Sequence, residues 1–222
     1  MAERRDVFAA EAASYEAWYT LPAGQRADVL EKGLLERLRR EAFPQAQSVL
    51  DLGCGTGHFT RWFGEQGLSV VGLDASAAML AQARAISAEL ALLRGDMEHL
   101  PFGDGAFDLV VLVTALEFVA DPRAALAEAW RVSRQGLLLG VLNRSSALGR
   151  ELRRVVARQP ESVYAHAHLY SVAELTRLVR GVAGPQARLD WRTTLWPRGW
   201  PLANARLPWG GFIGLAAQKR AR

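Results

Sequence analysis

The stretch that decides the fold is VLDLGCGTGHFT, residues 49–60. Its first four residues form a short run that is apolar except for Asp51, and glycines follow at positions 53, 55 and 57. Glycine has no Cβ, so a ligand can approach the backbone of such a turn closely. In open α/β sheets, ligands bind outside the carboxyl ends of the strands. The stretch therefore predicts a strand, a ligand-binding turn and a helix.

A second apolar run, VVGLD at residues 70–74, ends in an acid. If both runs are parallel strands, Asp74 reaches the same sheet edge as the glycine turn. A carboxylate there can accept hydrogen bonds from the two hydroxyls of a ribose. The pair of runs therefore predicts a site for a nucleoside-containing cofactor.

The glycine spacing narrows the class of nucleoside-containing cofactor. A dinucleotide fingerprint needs glycine at its first, third and sixth positions. Counted from Gly53 the sixth position is His58, and counted from Gly55 it is Thr60, so neither register completes the motif. A phosphate-binding P-loop is excluded too, because no Gly-Lys-Ser/Thr follows the turn. A nicotinamide-dependent oxidoreductase is therefore disfavoured.

The run Asp-Leu-Gly-Cys-Gly-Thr-Gly, residues 51–57, resembles the first motif of class I S-adenosylmethionine-dependent methyltransferases. Later motifs of that family follow in the same order: Asp74, Gly95-Asp96-Met97, Leu100-Pro101-Phe102, Phe107-Asp108-Leu109-Val110, Ala115-Leu116-Glu117-Phe118-Val119 and Asp121-Pro122. The resemblance is close over residues 7–143 and holds only in outline beyond them. It implies S-adenosyl-L-methionine as the cofactor and S-adenosyl-L-homocysteine as the product.

The resemblance also implies which residues contact the cofactor. The glycine turn lies along the methionine portion, Asp74 binds the ribose, and Asp96 accepts from the adenine amine. The full set of expected cofactor residues is Tyr15, Asp51, Gly53, Cys54, Gly55, Gly57, Asp74, Ala75, Asp96, Met97, Thr114 and Ala115. Tyr15 belongs to a segment, residues 8–19, that resembles the lid of many small-molecule methyltransferases. A packing role for its aromatic residues is the alternative.

Candidates for a general base are few. A base is needed only if the acceptor is protonated at neutral pH. His166, His168 and Glu117 are the candidate catalytic residues, with Tyr170 beside them. The two histidines lack a third ligand of suitable type nearby, so no metal is expected.

The order of apolar runs predicts an α/β fold. Strands are expected near 48–52, 69–74, 90–94, 107–113, 136–142, 187–196 and 211–219, and helices near 57–66, 76–88, 122–133, 144–160 and 171–182, after a helical region at 6–40 broken at 21–24. With the family resemblance, this predicts a doubly wound, Rossmann-like, seven-stranded sheet, mostly parallel with one antiparallel strand. We expect one domain: a helical lid at 1–45, a cofactor-binding core at 46–143, and substrate-side helices and a terminal strand pair at 144–222.

Composition limits the partners. The chain has 222 residues, a formal charge of +4 and one cysteine, Cys54, so no intramolecular disulfide forms. No secretory signal or membrane-length apolar run is present, which predicts a cytoplasmic protein. The arginines are spread along the chain, and those at 150, 153, 154 and 158 fit a solvated helix face. A nucleic-acid partner is therefore not favoured.

The sequence predicts methyl transfer to a small-molecule acceptor by in-line displacement. A nucleic-acid methyltransferase of the same fold and a non-catalytic S-adenosylmethionine-binding module are the alternatives. Trp196, Trp200 and Trp209 fall in one late loop, where an aromatic plug, a dimer contact, a substrate wall and a membrane-surface contact are all open. A homodimer is equally open.

Overall fold

The computed structural model describes Phe8, Ala12 and residues 15–197 and 204–220. The strands are β1 Ser48–Leu52, β2 Ser69–Asp74, β3 Ala91–Arg94, β4 Phe107–Val113, β5 Ser133–Leu142, β6 Arg188–Thr194 and β7 Phe212–Gln218. The α-helices are α1 Pro22–Ala42, α2 His58–Glu65, α3 Ala77–Ile86, α4 Pro122–Val132, α5 Ala147–Arg158 and α6 Val172–Ala183. Short 3-10 helices lie at Glu16–Thr20, Leu116–Phe118 and Val163–His166. None of the described helices combines the length and the apolar character that crossing a membrane requires.

The strands form one seven-stranded sheet in the order β3-β2-β1-β4-β5-β7-β6. β1 pairs in parallel with β2 and β4, while β7 runs antiparallel to both β5 and β6. The predicted sheet with one antiparallel strand is therefore confirmed. The strand order reverses beside β1, so the carboxyl ends of β1 and β4 diverge and leave a crevice for a ligand.

Each face of the sheet has its own apolar core. On one face, Leu126 of α4 and Leu175 of α6 pack over inward-facing residues of β4 and β5. On the other, Leu38 of α1 and Phe63 of α2 cover Val49 and its neighbours. The parallel strands are thus buried on both sides, which explains their continuous apolar runs.

Polar side chains fix the residues at which three helices begin. Ser76 accepts a hydrogen bond from the Met79 amide, and Asp121 caps α4 by accepting from two amides. Ser171 and Glu174 form a capping box at the start of α6. Each cap satisfies amides that the first helical turn leaves unpaired, so these residues set where the helices begin.

Two local predictions need correction. The break expected at 21–24 consists of Leu21 alone, because Pro22 takes the first helical position and Gly24 lies inside α1. The gap between the helix expected near 122–133 and the strand expected near 136–142 does not exist, because α4 ends at Val132 and β5 begins at Ser133. A register shift against β4 between Phe107 and Leu109 takes up the extra length there.

Candidate functional site

A cavity of about 290 Å³ opens at the carboxyl ends of β1, β2 and β4. Eleven of the twelve expected cofactor residues line it: Tyr15, Asp51, Gly53, Cys54, Gly55, Asp74, Ala75, Asp96, Met97, Thr114 and Ala115. Residues separated by up to a hundred positions in the chain are therefore brought to one site. Phe8 and Tyr19, from the segment expected to form a lid, also line the cavity. His58, Met79 and Phe118 line it as well, although they were not among the expected cofactor contacts.

The glycine turn forms the floor of this cavity. Gly53 and Gly55 have φ values of +72° and +54°, in the left-handed region that favours glycine. A Cβ added to Gly53 would lie 2.5 Å from Ala115 Cβ, so that glycine is needed for packing against the end of β4. A Cβ added to Gly55 would meet no atom within 4 Å, although Gly55 lines the cavity. The open space beside Gly55 is a cradle of the kind that a ligand occupies.

Gly57 has a different task. It is the N-cap of α2, has a φ of +78° and does not line the cavity. A Cβ there would lie 2.8 Å from Leu90 Cδ1, so the position requires glycine for local packing and backbone conformation. The predicted ligand contact of Gly57 is therefore not supported by its placement.

Asp74 is held rigidly at the end of β2. Its Oδ2 accepts a hydrogen bond of 2.8 Å from the Gly55 amide, and its Oδ1 accepts one of 2.8 Å from the Ser76 amide. Burial raises the pKa of Asp74 even though these amides favour the charged form. The carboxylate is thus oriented in advance toward the cavity that it lines, as binding a diol requires.

Asp51 lies deeper, at the end of β1. It is 2% exposed, and its Oδ2 accepts a hydrogen bond of 2.7 Å from the Thr60 hydroxyl. Burial, together with the negative charge of Asp74, raises its pKa to about 7. Burial also raises the pKa of the Cys54 thiol, so that cysteine stays neutral and is not poised as a nucleophile.

The loop after β3 forms the rim of the cavity next to Asp74, where the Gly95 amide donates to Asp74 O at 3.0 Å. Asp96 Oδ1 accepts a hydrogen bond of 3.0 Å from the Glu98 amide, which folds the loop back on itself. Met97 lies beside the glycine turn, with its Cε 3.2 Å from the position of a Cβ on Gly53. The two expected adenine-side residues therefore line the cavity beside the end of β2.

Thr114 follows β4 in an uncommon conformation. Its φ is +48°, a region that costs a residue with a Cβ free energy. Its amide donates to Gly140 O at 2.7 Å, and its hydroxyl is hydrogen bonded with Tyr15. The strain is located where the strand ends at the cavity, and such strain is typical of binding sites.

The segment after Tyr15 closes over the glycine turn and is fastened by polar contacts. Glu16 Oε1 accepts hydrogen bonds from the Thr56 hydroxyl at 2.6 Å and from Arg61 at 3.0 Å. The Tyr19 ring stacks on His58, with 3.6 Å between ring centroids. His58 in turn is hydrogen bonded to Asp28 of α1 at 2.6 Å, and burial lowers its pKa. This geometry supports the lid interpretation of the segment, and we call residues 15–20 the lid.

The three expected catalytic residues do not line the cavity. His166 and His168 are exposed, and His168 Nε2 lies 2.7 Å from Glu174 Oε1. Glu117 is buried just after β4, between Ala115 and Phe118, which line the cavity, and its Oε1 accepts from the Leu142 amide at 2.7 Å. The catalytic role of the histidines stays a prediction, and their exposed positions do not support it.

The loop tryptophans differ among themselves: Trp196 is buried, Trp209 is exposed, and Trp200 lies outside the described residues.

The sheet order, the antiparallel β7 and the cavity at the carboxyl end of β1 define the class I methyltransferase fold. A solved SAM-dependent methyltransferase from Thermotoga maritima, described as a possible histamine N-methyltransferase, superposes with a TM-score of 0.80 at 26% identity. The superposition covers 98% of this chain and 100% of that one. Residues 50–140 also match the family model described as a methyltransferase domain. The chain therefore has the class I methyltransferase fold, and residues 50–140 are similar to a methyltransferase domain.

Curated relatives match part of the chain. A malonyl-[acyl-carrier protein] O-methyltransferase from Pectobacterium atrosepticum is 43% identical over 88 residues, which are 40% of this chain and 35% of that protein. A demethylmenaquinone methyltransferase from Renibacterium salmoninarum is 38% identical over 115 residues, 49% of this chain and 48% of that protein. The matched part thus spans less than half the length of these relatives.

Proposed function

We propose that the protein transfers a methyl group from S-adenosylmethionine to a small-molecule acceptor. The observation that carries this proposal is the cavity at the glycine turn, where the open space at Gly55 lies beside the oriented carboxylate of Asp74. When bound, S-adenosylmethionine supplies a methyl group already activated on a sulfonium sulfur. The fold, the domain match and the relatives all support this choice of cofactor.

The chain's own residues orient the two reactants. Asp74 would accept hydrogen bonds from the ribose hydroxyls, and the loop at Asp96 and Met97 would border the adenine. Thr114 and Ala115 would border the methionine portion, which directs the reactive end toward the carboxyl ends of β4 and β5. Alignment of nucleophile and methyl carbon is the main contribution that an enzyme makes to such a displacement.

The lid excludes water from the site. Tyr15 and Tyr19 cover the cavity, and the contacts of Glu16 with Thr56 and Arg61 hold the lid against the glycine turn. Exclusion of water leaves the acceptor as the nucleophile nearest to the methyl group. The lid must therefore open for the acceptor to enter and the products to leave.

Calorimetric titration with S-adenosylhomocysteine tests the proposal. We expect saturable binding by the wild type and a loss of at least tenfold in affinity for Asp74→Ala. Ser69→Ala, a change at the opposite end of the same strand, is the matched control and should bind normally. Absence of binding by the wild type would refute the proposal.

A further inference from the structure

Two buried carboxyls lie beside the cavity on the side of β5. Glu117 is in the 3-10 helix after β4, and its neighbours Ala115 and Phe118 line the cavity. Glu31 reaches the same region from α1, and the two carboxyls are close enough to repel each other. Glu117 is 1% exposed and Glu31 is 8% exposed. Acidic side chains are this deeply buried only when they are paired or neutralised.

Only one of the two carboxylate oxygens of Glu117 has a hydrogen-bond partner among the described residues. Its Oε1 accepts from the Leu142 amide, which ties it to the carboxyl end of β5. Its Oε2 is buried and has no hydrogen-bond partner within the part of the chain that the structure describes. Buried polar atoms almost always have a partner, so an orphaned carboxylate oxygen next to a ligand cavity indicates a missing donor.

Electrostatics at the pair disfavour the charged form of both carboxyls. Burial raises the pKa of Glu117 to about 7. Burial, and then the charges of Asp28 and Glu117, raise the pKa of Glu31 to about 8. Lys32 opposes this shift, but its ammonium is bound to Asp28 at 2.9 Å. A cation placed at the pair would relieve the repulsion that the described residues leave uncompensated.

Aromatic rings surround the same region. Tyr15 lines the cavity and is close enough to Glu31 for the carboxylate to raise its pKa. Phe118 packs edge-on against Phe8 at 4.8 Å between ring centroids, and Tyr170 donates to Leu116 O beside Glu117. Aromatic faces together with carboxylates are the groups that recognise ammonium ions.

We propose that the methyl acceptor is an amine whose ammonium group is bound by Glu117 with the support of Glu31. This inference rests on the proposed function and adds the substrate class to it. The ammonium proton moves to Glu117 Oε2, and the freed nitrogen lone pair forms the new nitrogen–carbon bond. The sulfur–carbon bond breaks, and its electron pair returns to sulfur, which becomes an uncharged thioether. An acceptor with a carboxylate, like that of a malonyl group, would be repelled by the two acids.

Competition among three matched ligands tests this choice. Protein saturated with S-adenosylhomocysteine is titrated with phenethylamine, 2-phenylethanol and 3-phenylpropionate, and the series is repeated with methylamine and tryptamine. Glu117→Gln retains an oxygen for the Leu142 amide but removes the charge, and Glu31→Gln is the second variant. Glu65→Gln, at an exposed glutamate at the end of α2, is the control. Mass spectrometry of the amines after incubation with S-adenosylmethionine detects the methylated product.

We expect the amines to bind at least tenfold more tightly than the alcohol and the carboxylate. Glu117→Gln should lose at least tenfold in amine affinity and in methylated product, while its affinity for S-adenosylhomocysteine stays within twofold. Equal binding of the alcohol, unchanged amine binding in both variants, or no amine binding at all would overturn the inference. Each of these outcomes leaves S-adenosylhomocysteine binding intact, so they are distinguishable from failure of the proposed function.

Discussion

Gly55→Ala tests whether the open space beside Gly55 is needed for ligand binding rather than for folding. The added methyl meets no protein atom within 4 Å, so the variant should fold. Its cost to stability is the left-handed conformation, φ +54°, which is worth about 1–2 kcal/mol for a residue with a Cβ. In a domain of this size that lowers the melting temperature by about 2–8 °C. The methyl should instead occupy part of the ligand cradle.

We therefore expect Gly55→Ala to melt cooperatively but to bind S-adenosylhomocysteine at least tenfold more weakly, a loss of about 1.4 kcal/mol or more. Thermal melts and calorimetric titration of the same preparation measure both quantities. Unchanged affinity in a folded Gly55→Ala protein would refute the assignment of this space to the ligand.

Two other glycines serve as matched controls. Gly53→Ala combines a φ of +72° with a contact of 2.5 Å to Ala115 Cβ, so it should lose about 2–5 kcal/mol of stability. Gly64→Ala lies in α2 with open space around the added methyl, and should gain about 0.5–1 kcal/mol. Its ligand affinity should equal that of the wild type. Only Gly55→Ala should therefore reduce binding without a large loss of stability.

Three further predictions follow from the site. Asp74→Asn should weaken S-adenosylhomocysteine binding at least tenfold in calorimetry, because an amide cannot accept from both ribose hydroxyls while also accepting from the Gly55 and Ser76 amides. Glu16→Gln should weaken the contacts of the lid with Thr56 and Arg61, and faster proteolysis of the lid in the free protein would reveal this. For Asp51, the folded pKa of about 7 lies above the unfolded value of ~3.9, so the folded state binds the extra proton and stability falls as pH rises from ~4 to ~7. Denaturant titrations should show a weaker fall for Asp51→Asn, and an identical pH dependence would contradict the shift.

Much of the core could be predicted from the sequence because its signals are local. The continuous apolar runs predict strands buried on both faces, and Ser76, Asp121 and Ser171 mark helix starts through contacts within four residues. The glycine turn lies between a strand and a helix, so its place at the sheet edge follows from the topology alone.

The lid contacts could not be predicted because they join distant parts of the chain. Glu16 meets Arg61, and Tyr19 meets His58, across more than thirty residues. The only local signal was the position of His58 immediately after the last glycine of the turn. The early start of β5 has the same origin, because pairing with β4 extends the strand back to Ser133, three residues before the expected start. Gly57 was predicted to contact the ligand for a different reason: in sequence, a glycine needed for packing cannot be distinguished from one needed for ligand binding.

Acids at the sheet edge indicate function because they oppose stability. Asp51, Asp74 and Glu117 lie at or just beyond the carboxyl ends of β1, β2 and β4, and burial raises the pKa of each. Apolar residues of similar size would pack there without the cost of removing a carboxyl group from water. Backbone amides, among them those of Gly55, Ser76 and Leu142, and the Thr60 hydroxyl compensate these side chains in part. A ligand that brings hydroxyls or positive charge to this edge would offset the part of the desolvation cost that these protein groups leave uncompensated. The acids that destabilise the ligand-free fold should therefore stabilise the bound state.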